Sequence, residues 1–360
     1  MKSGKLILGV VVLALLVGCG VWAYFHVTFS FANFKSQLLL ADWRRIGFAL
    51  GCIYLGYVFR GVRWALLIRP NKKIPLFSLV GTQVIGFTSI ALVGRVADLA
   101  RPYMVSKKTG LPLSSQIAVY IVERLFDAGA MALIFSSVIL LAPVLSPDSP
   151  LPHAEVFKKV GYYGLAGTVA GALFLVMVRL AGDAVASFFE GMIGVVSKGF
   201  GHAVGEKIRG FRTGLNTLRS LKDLAVTLGL SLGMWALITL AYLNTAKAFT
   251  ASPQLASMTL AKCMVLLVFS GGASVVQLPI LGWFTQIGLV AAAMSSLFQV
   301  APEPATACAA MLLIVTFLGV IPVGLIWAQI EHVSLRKVAA ESEHAGEVEL
   351  ESVAEEPGQA

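Results

Sequence analysis

Between residues 114 and 142 the chain runs for 29 positions with only three charged side chains, Glu123, Arg124 and Asp127. A helix of roughly 20 apolar residues crosses a hydrocarbon core about 30 Å thick, so this stretch is long enough to span a bilayer. Similar runs recur along the chain, and only 13% of its 360 residues are charged, against about a quarter in soluble proteins. The expected fold is an all-α polytopic membrane protein.

Six full spans are expected, near residues 5–25, 46–68, 114–142, 157–180, 224–249 and 303–330. Two further apolar stretches, 76–94 and 256–300, are broken or re-entrant. Basic segments flank the first of these, "RPNKK" before it and Arg95, Arg101, Lys107 and Lys108 after it. The positive-inside rule puts both on the cytoplasmic side, which a hairpin entering and leaving from that side satisfies. Irregular backbone at membrane depth is tolerated only when buried in protein or lining a wet cavity. The second stretch is interrupted by "QLPILGW" and reads either as two spans or as a hairpin dipping from the opposite face. Two opposed hairpins would suit inverted repeats around a midplane site. Residues 181–223 read as a cytoplasmic joint, in which Ile208, Phe211, Leu215 and Leu218 form the apolar stripe of an amphipathic or connecting helix.

The net charge of +9 is unevenly placed. Residues 331–360 carry eight acids and two bases, leaving 26 bases against 11 acids in the rest. Two domains follow: an integral membrane body, 1–330, and an acidic, disordered cytoplasmic tail, 331–360. A basic body suits anionic headgroups, whereas nucleic acid is not an expected partner. Cys19, Cys52, Cys263 and Cys308 are isolated in apolar sequence, so neither a disulfide framework nor a metal site is expected, and no cofactor is implied. "LVGC" ending at Cys19 has the form of a lipoprotein cleavage box, but the apolar run continues to Phe25, as in an uncleaved first span.

Charge inside the apolar sequence is the main functional signal. Glu123 and Asp127, four residues apart, share a helix face, and Arg124 reaches Asp127 from three residues away. Each such group costs roughly 2.5–3.5 kcal/mol at a helix centre, so three left unpaired would cost up to about 10 kcal/mol. The expected partners are Arg95, Asp98 and Arg101, at i, i+3 and i+6. Together the six sum to zero and form the expected substrate-binding set, with arginine forks for a phosphate and carboxylates to orient them. A purely structural ion-pair network is the competing reading. Arg60 and Arg63 read first as snorkelling anchors and second as lining a cavity mouth. Gln277, Pro279, Gly282 and Gln286, in the second broken segment, are further lining residues, or a helix-packing surface.

"GRVADLARPYMVSKKTG", "VERLFD" and "QLPILGWFTQIG" resemble motifs of the flippase-like membrane domain of lysyl-phosphatidylglycerol synthases and their stand-alone relatives. The first motif maps onto Arg95, Asp98 and Arg101, and the second onto Glu123, Arg124 and Asp127. Pro279, Gly282 and Gln286 approximate the third. Val93 and Ala97 replace a proline and a glycine, Asp98 a glutamate, and uncharged Gln286 stands where an acid is usual. The resemblance implies translocation of a phosphate-bearing lipid or lipid-linked amphiphile between leaflets of a bacterial inner membrane, with the C-terminus cytoplasmic. It implies no enzyme activity, since the soluble synthase domain has no counterpart in this sequence. Two alternatives stand beside it: a secondary transporter of a small soluble anion, and a non-transporting scaffold for a lipid-modifying enzyme. The sequence leaves self-association and such an enzyme partner open.

Overall fold

The computed structural model describes residues 29–195, 197, 199, 201, 202, 204, 205, 221–273 and 281–334. The side chains of Arg95, Val96, Leu175, Val176, Arg179, Leu221, Ala273 and Leu281 lie outside that description. So do the expected first span with Cys19, the stripe of Ile208, Phe211, Leu215 and Leu218, the acidic tail from residue 335 onward, and Gln277 and Pro279.

Every element among the described residues is helical. In chain order they are α1 (Phe31–Leu39), α2 (Trp43–Ile68), α3 (Val80–Val93), a 3-10 turn (Arg95–Leu99), α4 (Ala100–Thr109), α5 (Leu113–Leu145), α6 (Ala154–Gly194), α7 (Leu221–Lys247), α8 (Pro253–Ala256), α9 (Leu260–Ala273), α10 (Leu281–Phe298), α11 (Pro302–Leu313), a π turn (Ile314–Leu318) and α12 (Val320–Ile330). Among the described residues four helices are long and apolar enough to cross a membrane: α2, α5, Lys222–Lys247, and Pro302–Ile330 taken through its π turn. The expected span at 157–180 lies in α6. Its helical geometry breaks at Ala181, where the expected span ends, and a further helical segment runs on to Gly194.

Local sequence explains the helix limits. Asp42 caps α2, accepting the backbone N–H groups of Arg44 and Arg45. Gly110, with φ of 70°, closes α4, and Pro112 precedes α5. The π turn is closed by Gly319 N–H donating to Ile314 O at 2.6 Å, and Pro322, which has no N–H to continue the regular ladder, follows within α12.

Helix α3 is wedged between α2 and α12 at near-backbone contact. A Cβ on Gly61 would stand 2.9 Å from the Val80 backbone, one on Gly81 would collide with the Trp327 ring, and one on Gly324 with the Thr88 side chain. Such small-residue seams are how membrane helices approach closely where apolar burial gives no advantage over lipid. Outward-facing Val169, Leu173 and Leu180 on α6 are exposed, as suits an apolar surroundings.

The 14 residues of α3 rise about 21 Å, short of the roughly 30 Å hydrocarbon core. At its end Gly94 adopts φ of 89°, a region that favours glycine, and α4 packs back against α3. Lys72, just after α2, donates through Nζ to Thr109 O at the far end of α4 at 2.5 Å. The pair α9 and α10 has a similar closure. Lys262 Nζ, near the start of α9, donates to Ser149 Oγ at 2.8 Å and lies 5.9 Å from the centre of the Phe298 ring at the end of α10. Of the four cysteines, Cys52, Cys263 and Cys308 are free and buried, as expected of small apolar fillers.

If the seam around α3 is set by missing side chains, Gly324→Val should lower stability by about 1–3 kcal/mol through overpacking against Thr88. Gly129→Ala, on α5 with open space around it, should leave stability unchanged or slightly higher. Thermal unfolding of the two variants in detergent micelles separates them.

Candidate functional site

Residues 60, 63 and 64 lie on one face of α2 and aim Arg60, Arg63 and Trp64 at α5. From α5 come Glu123, Asp127 and Arg124. The closest contacts run through Arg63. Its Nη2 donates to Glu123 Oε1 at 2.5 Å, and its Nη1 donates to both Asp127 Oδ1 and Ser231 Oγ of α7 at 2.6 Å. One guanidinium therefore binds two carboxylates a helical turn apart, a use that suits its planar fork. The Arg63 and Glu123 side chains are each only 1% exposed.

The fourth wall is α4. Arg101 Nη1 donates to Glu123 Oε2 at 3.0 Å and to Gln83 Oε1 of α3 at 3.1 Å. Its guanidinium lies 4.6 Å from the Phe87 ring centre, 5.0 Å from Tyr120 and 5.6 Å from Trp64. Cation–π contact of this kind strengthens where water is excluded. The aliphatic stem of Arg101 occupies the space that a side chain at Gly86 would fill. Trp64 is fixed in turn by its Nε1–H donating to Gln116 Oε1 at 3.0 Å.

Two further arginines form the edge. Arg60 Nη1 is 3.3 Å from Asp127 Oδ2 and 3.8 Å from Glu123 Oε1, with the Phe87 ring centre 4.8 Å away. Arg124 Nη2 is 3.1 Å from the same Asp127 Oδ2 and 3.8 Å from Glu123 Oε2. The Arg124 side chain is 41% exposed, and its neighbours Ile121 and Leu125 on α5 are exposed too. Arg124 Nε and Nη2 have no hydrogen-bond acceptor among the described residues, although Nη2 lies within ion-pair range of Asp127.

Several expectations change. Of the three groups expected from the 95–101 segment, Arg101 joins the cluster, and it is the only one to do so among the described side chains. Asp98 is half-buried but makes no ion pair among the described residues, and Arg95 lies outside the described side chains. The i, i+3, i+6 alignment presumed one regular helix, whereas the chain passes from a 3-10 turn to α4 between Leu99 and Ala100. Arg101 is buried and pairs with Glu123. Arg60 and Arg63 are not interfacial anchors: they meet the α5 carboxylates, with Arg63, not Arg124, as the main counter-ion. Among the described residues the cluster comprises four arginines and two carboxylates, two positive charges in excess, rather than the expected neutral set of six.

Gln286 donates to Ser270 Oγ at 2.7 Å, joining α10 to α9, and Gly282 is buried at the start of α10. Neither bonds to the arginine cluster among the described residues. The sequence reading missed Gln83, Phe87, Tyr120 and Ser231. Tyr120, one turn before Arg124, and Gln83, a polar group in an apolar helix, carry a signal in the sequence; Phe87 carries none. No group of three or more His, Cys, Asp or Glu side chains placed to hold a metal occurs among the described residues.

Removing Arg63 by Arg63→Ala would leave Glu123 and Asp127 short of their main partner, and should cost about 3–5 kcal/mol. Arg124→Ala, from the exposed edge, should cost far less. Neutralising both acids in the Arg63→Ala background should recover most of the loss, which equilibrium unfolding of the cycle in mixed micelles measures.

A family model described as the lysylphosphatidylglycerol synthase TM region matches residues 6–324. No curated protein matches the chain, and no solved structure does.

Proposed function

The chain belongs to the lysylphosphatidylglycerol synthase transmembrane family, and on that premise we propose that it carries a phosphate-bearing lipid between the two leaflets, without itself catalysing a chemical change. One observation carries this reading: among the described residues four arginines face two carboxylates, and the excess positive charge lies at an edge where Arg124 is exposed between exposed apolar residues. Charge left over inside an apolar body is costly, and an anion that completes the site lowers that cost. An opening lined by Ile121 and Leu125 favours a ligand whose headgroup is polar and whose tails stay in hydrocarbon. A small soluble anion would have no use for such flanks.

Arg60 and Arg124 then contact the headgroup. Arg63, Arg101, Glu123 and Asp127 hold those two in place. The α3–α4 pair is read as a re-entrant hairpin opening from the cytoplasm, supported by the short α3, the reversal at Gly94 and the Lys72–Thr109 closure. The α9–α10 pair is read as its counterpart from the opposite face, supported by the Lys262 contacts. Glu331 pairs with Lys108 at 2.7 Å, which places the end of α12 beside the basic end of α4 and supports a cytoplasmic C-terminus in a bacterial inner membrane.

Reconstitution into liposomes tests the function. A labelled phospholipid should change leaflet with the intact protein. Transport should fall at least about tenfold in Arg60→Gln and Arg124→Gln, while their unfolding temperatures stay near the parent's. Movement of a soluble anion between compartments without lipid exchange would replace this reading with a solute transporter. Loss of function on deleting residues 331–360, with lipid exchange absent from the intact protein as well, would favour a scaffold.

A further inference from the structure

Resting on the lipid-carrying reading, we infer that the headgroup this site takes is a phosphomonoester dianion rather than a singly charged phosphodiester. Facing the site are Arg60 and Arg63 with Tyr57 from α2, Arg101 from α4, and Tyr120, Glu123, Arg124 and Asp127 from α5; α3 supplies Gln83 and Phe87, and α7 supplies Ser231. The main charged neighbours of Arg60 are Asp127, Arg124, Glu123 and Arg101, and no further acid pairs with the four arginines among the described residues. A diester headgroup carries one negative charge and leaves one arginine uncompensated. A monoester carries about two above its second ionisation and completes the balance.

The donor count points the same way. Arg60 Nη1 and Arg124 Nη2 both lie within 3.3 Å of the one oxygen Asp127 Oδ2, so the two guanidiniums converge on a single spot. There Arg124 Nε and Nη2 lack hydrogen-bond acceptors among the described residues, and Arg63 Nε and Arg101 Nε lack them deeper in the cluster. Buried donors of this kind are ordinarily satisfied, and the two carboxylates are already shared among four guanidiniums. A terminal phosphate presents three free oxygens, against two non-bridging oxygens in a diester. It is therefore the better acceptor for two arginine forks meeting at one point.

Full-length protein in detergent micelles, titrated with dihexanoyl phosphatidate and with dihexanoyl phosphatidylglycerol and followed by thermal stabilisation, tests this. Phosphatidate should bind about tenfold tighter than phosphatidylglycerol at pH 8. The preference should shrink several-fold at pH 5, because the monoester loses its second charge below about pH 6 whereas arginines stay charged throughout. Arg124→Gln, which lowers the excess to one, should abolish the preference while leaving some phosphatidylglycerol binding. Equal affinity for the two lipids at pH 8 would overturn the dianion inference and leave the lipid-carrying reading standing. Binding of neither would overturn that reading itself. If glycerol 3-phosphate bound as tightly as phosphatidate, the dianion would stand but its source would be a soluble phosphomonoester, which overturns the lipid half.

Discussion

The two-pronged bond from Arg63 to Glu123 and Asp127 is the contact on which the rest of the site depends. It joins α2 to α5 where both acids are buried, and the same guanidinium reaches Ser231 on α7. Two carboxylates in an apolar body are tolerated only when each has a close cation, and a single Lys could not span both in this geometry. Once α2 and α5 are fixed, the second oxygen of Glu123 is left facing α4, where Arg101 meets it.

That second contact depends on backbone approach rather than on charge. Arg101 reaches Glu123 because its stem crosses α3 at Gly86, where a side chain would block it. Helix α3 can sit there because Gly61, Gly81 and Gly324 let it lie against α2 and α12. Small residues that look featureless in the sequence thus decide whether a charged residue arrives. The two roles of arginine separate along the same line: Arg63 and Arg101 are sealed inside and hold the scaffold, whereas Arg60 and Arg124 sit at the edge with charge to spare.

Much of the architecture was legible in the chain. Apolar run lengths located α2, α5, α7 and the final helix, and the apolar stretch 76–94 holds the short helix α3. Glu123 and Asp127, one turn apart in an apolar run, marked the right face of α5. What failed was the choice of partners. Asp98 was expected in the cluster and stays out of it, while Arg63 was expected at the interface and lies at the centre. Phe87, which stacks on both Arg60 and Arg101, has no distinguishing mark in an apolar helix.

The sequence by itself determined which segments are helical, how long they are and which faces carry charge, because those follow from periodicity and from the cost of unpaired groups in hydrocarbon. Only the tertiary structure decided which faces meet and at what height. Spacing along one helix carries no information about the register of its neighbour, and a slide of one turn, about 5.4 Å, would exchange one counter-ion for another. The excess of two positive charges among the described residues is therefore a property of the packing, invisible in a list of residues that could equally well have summed to zero.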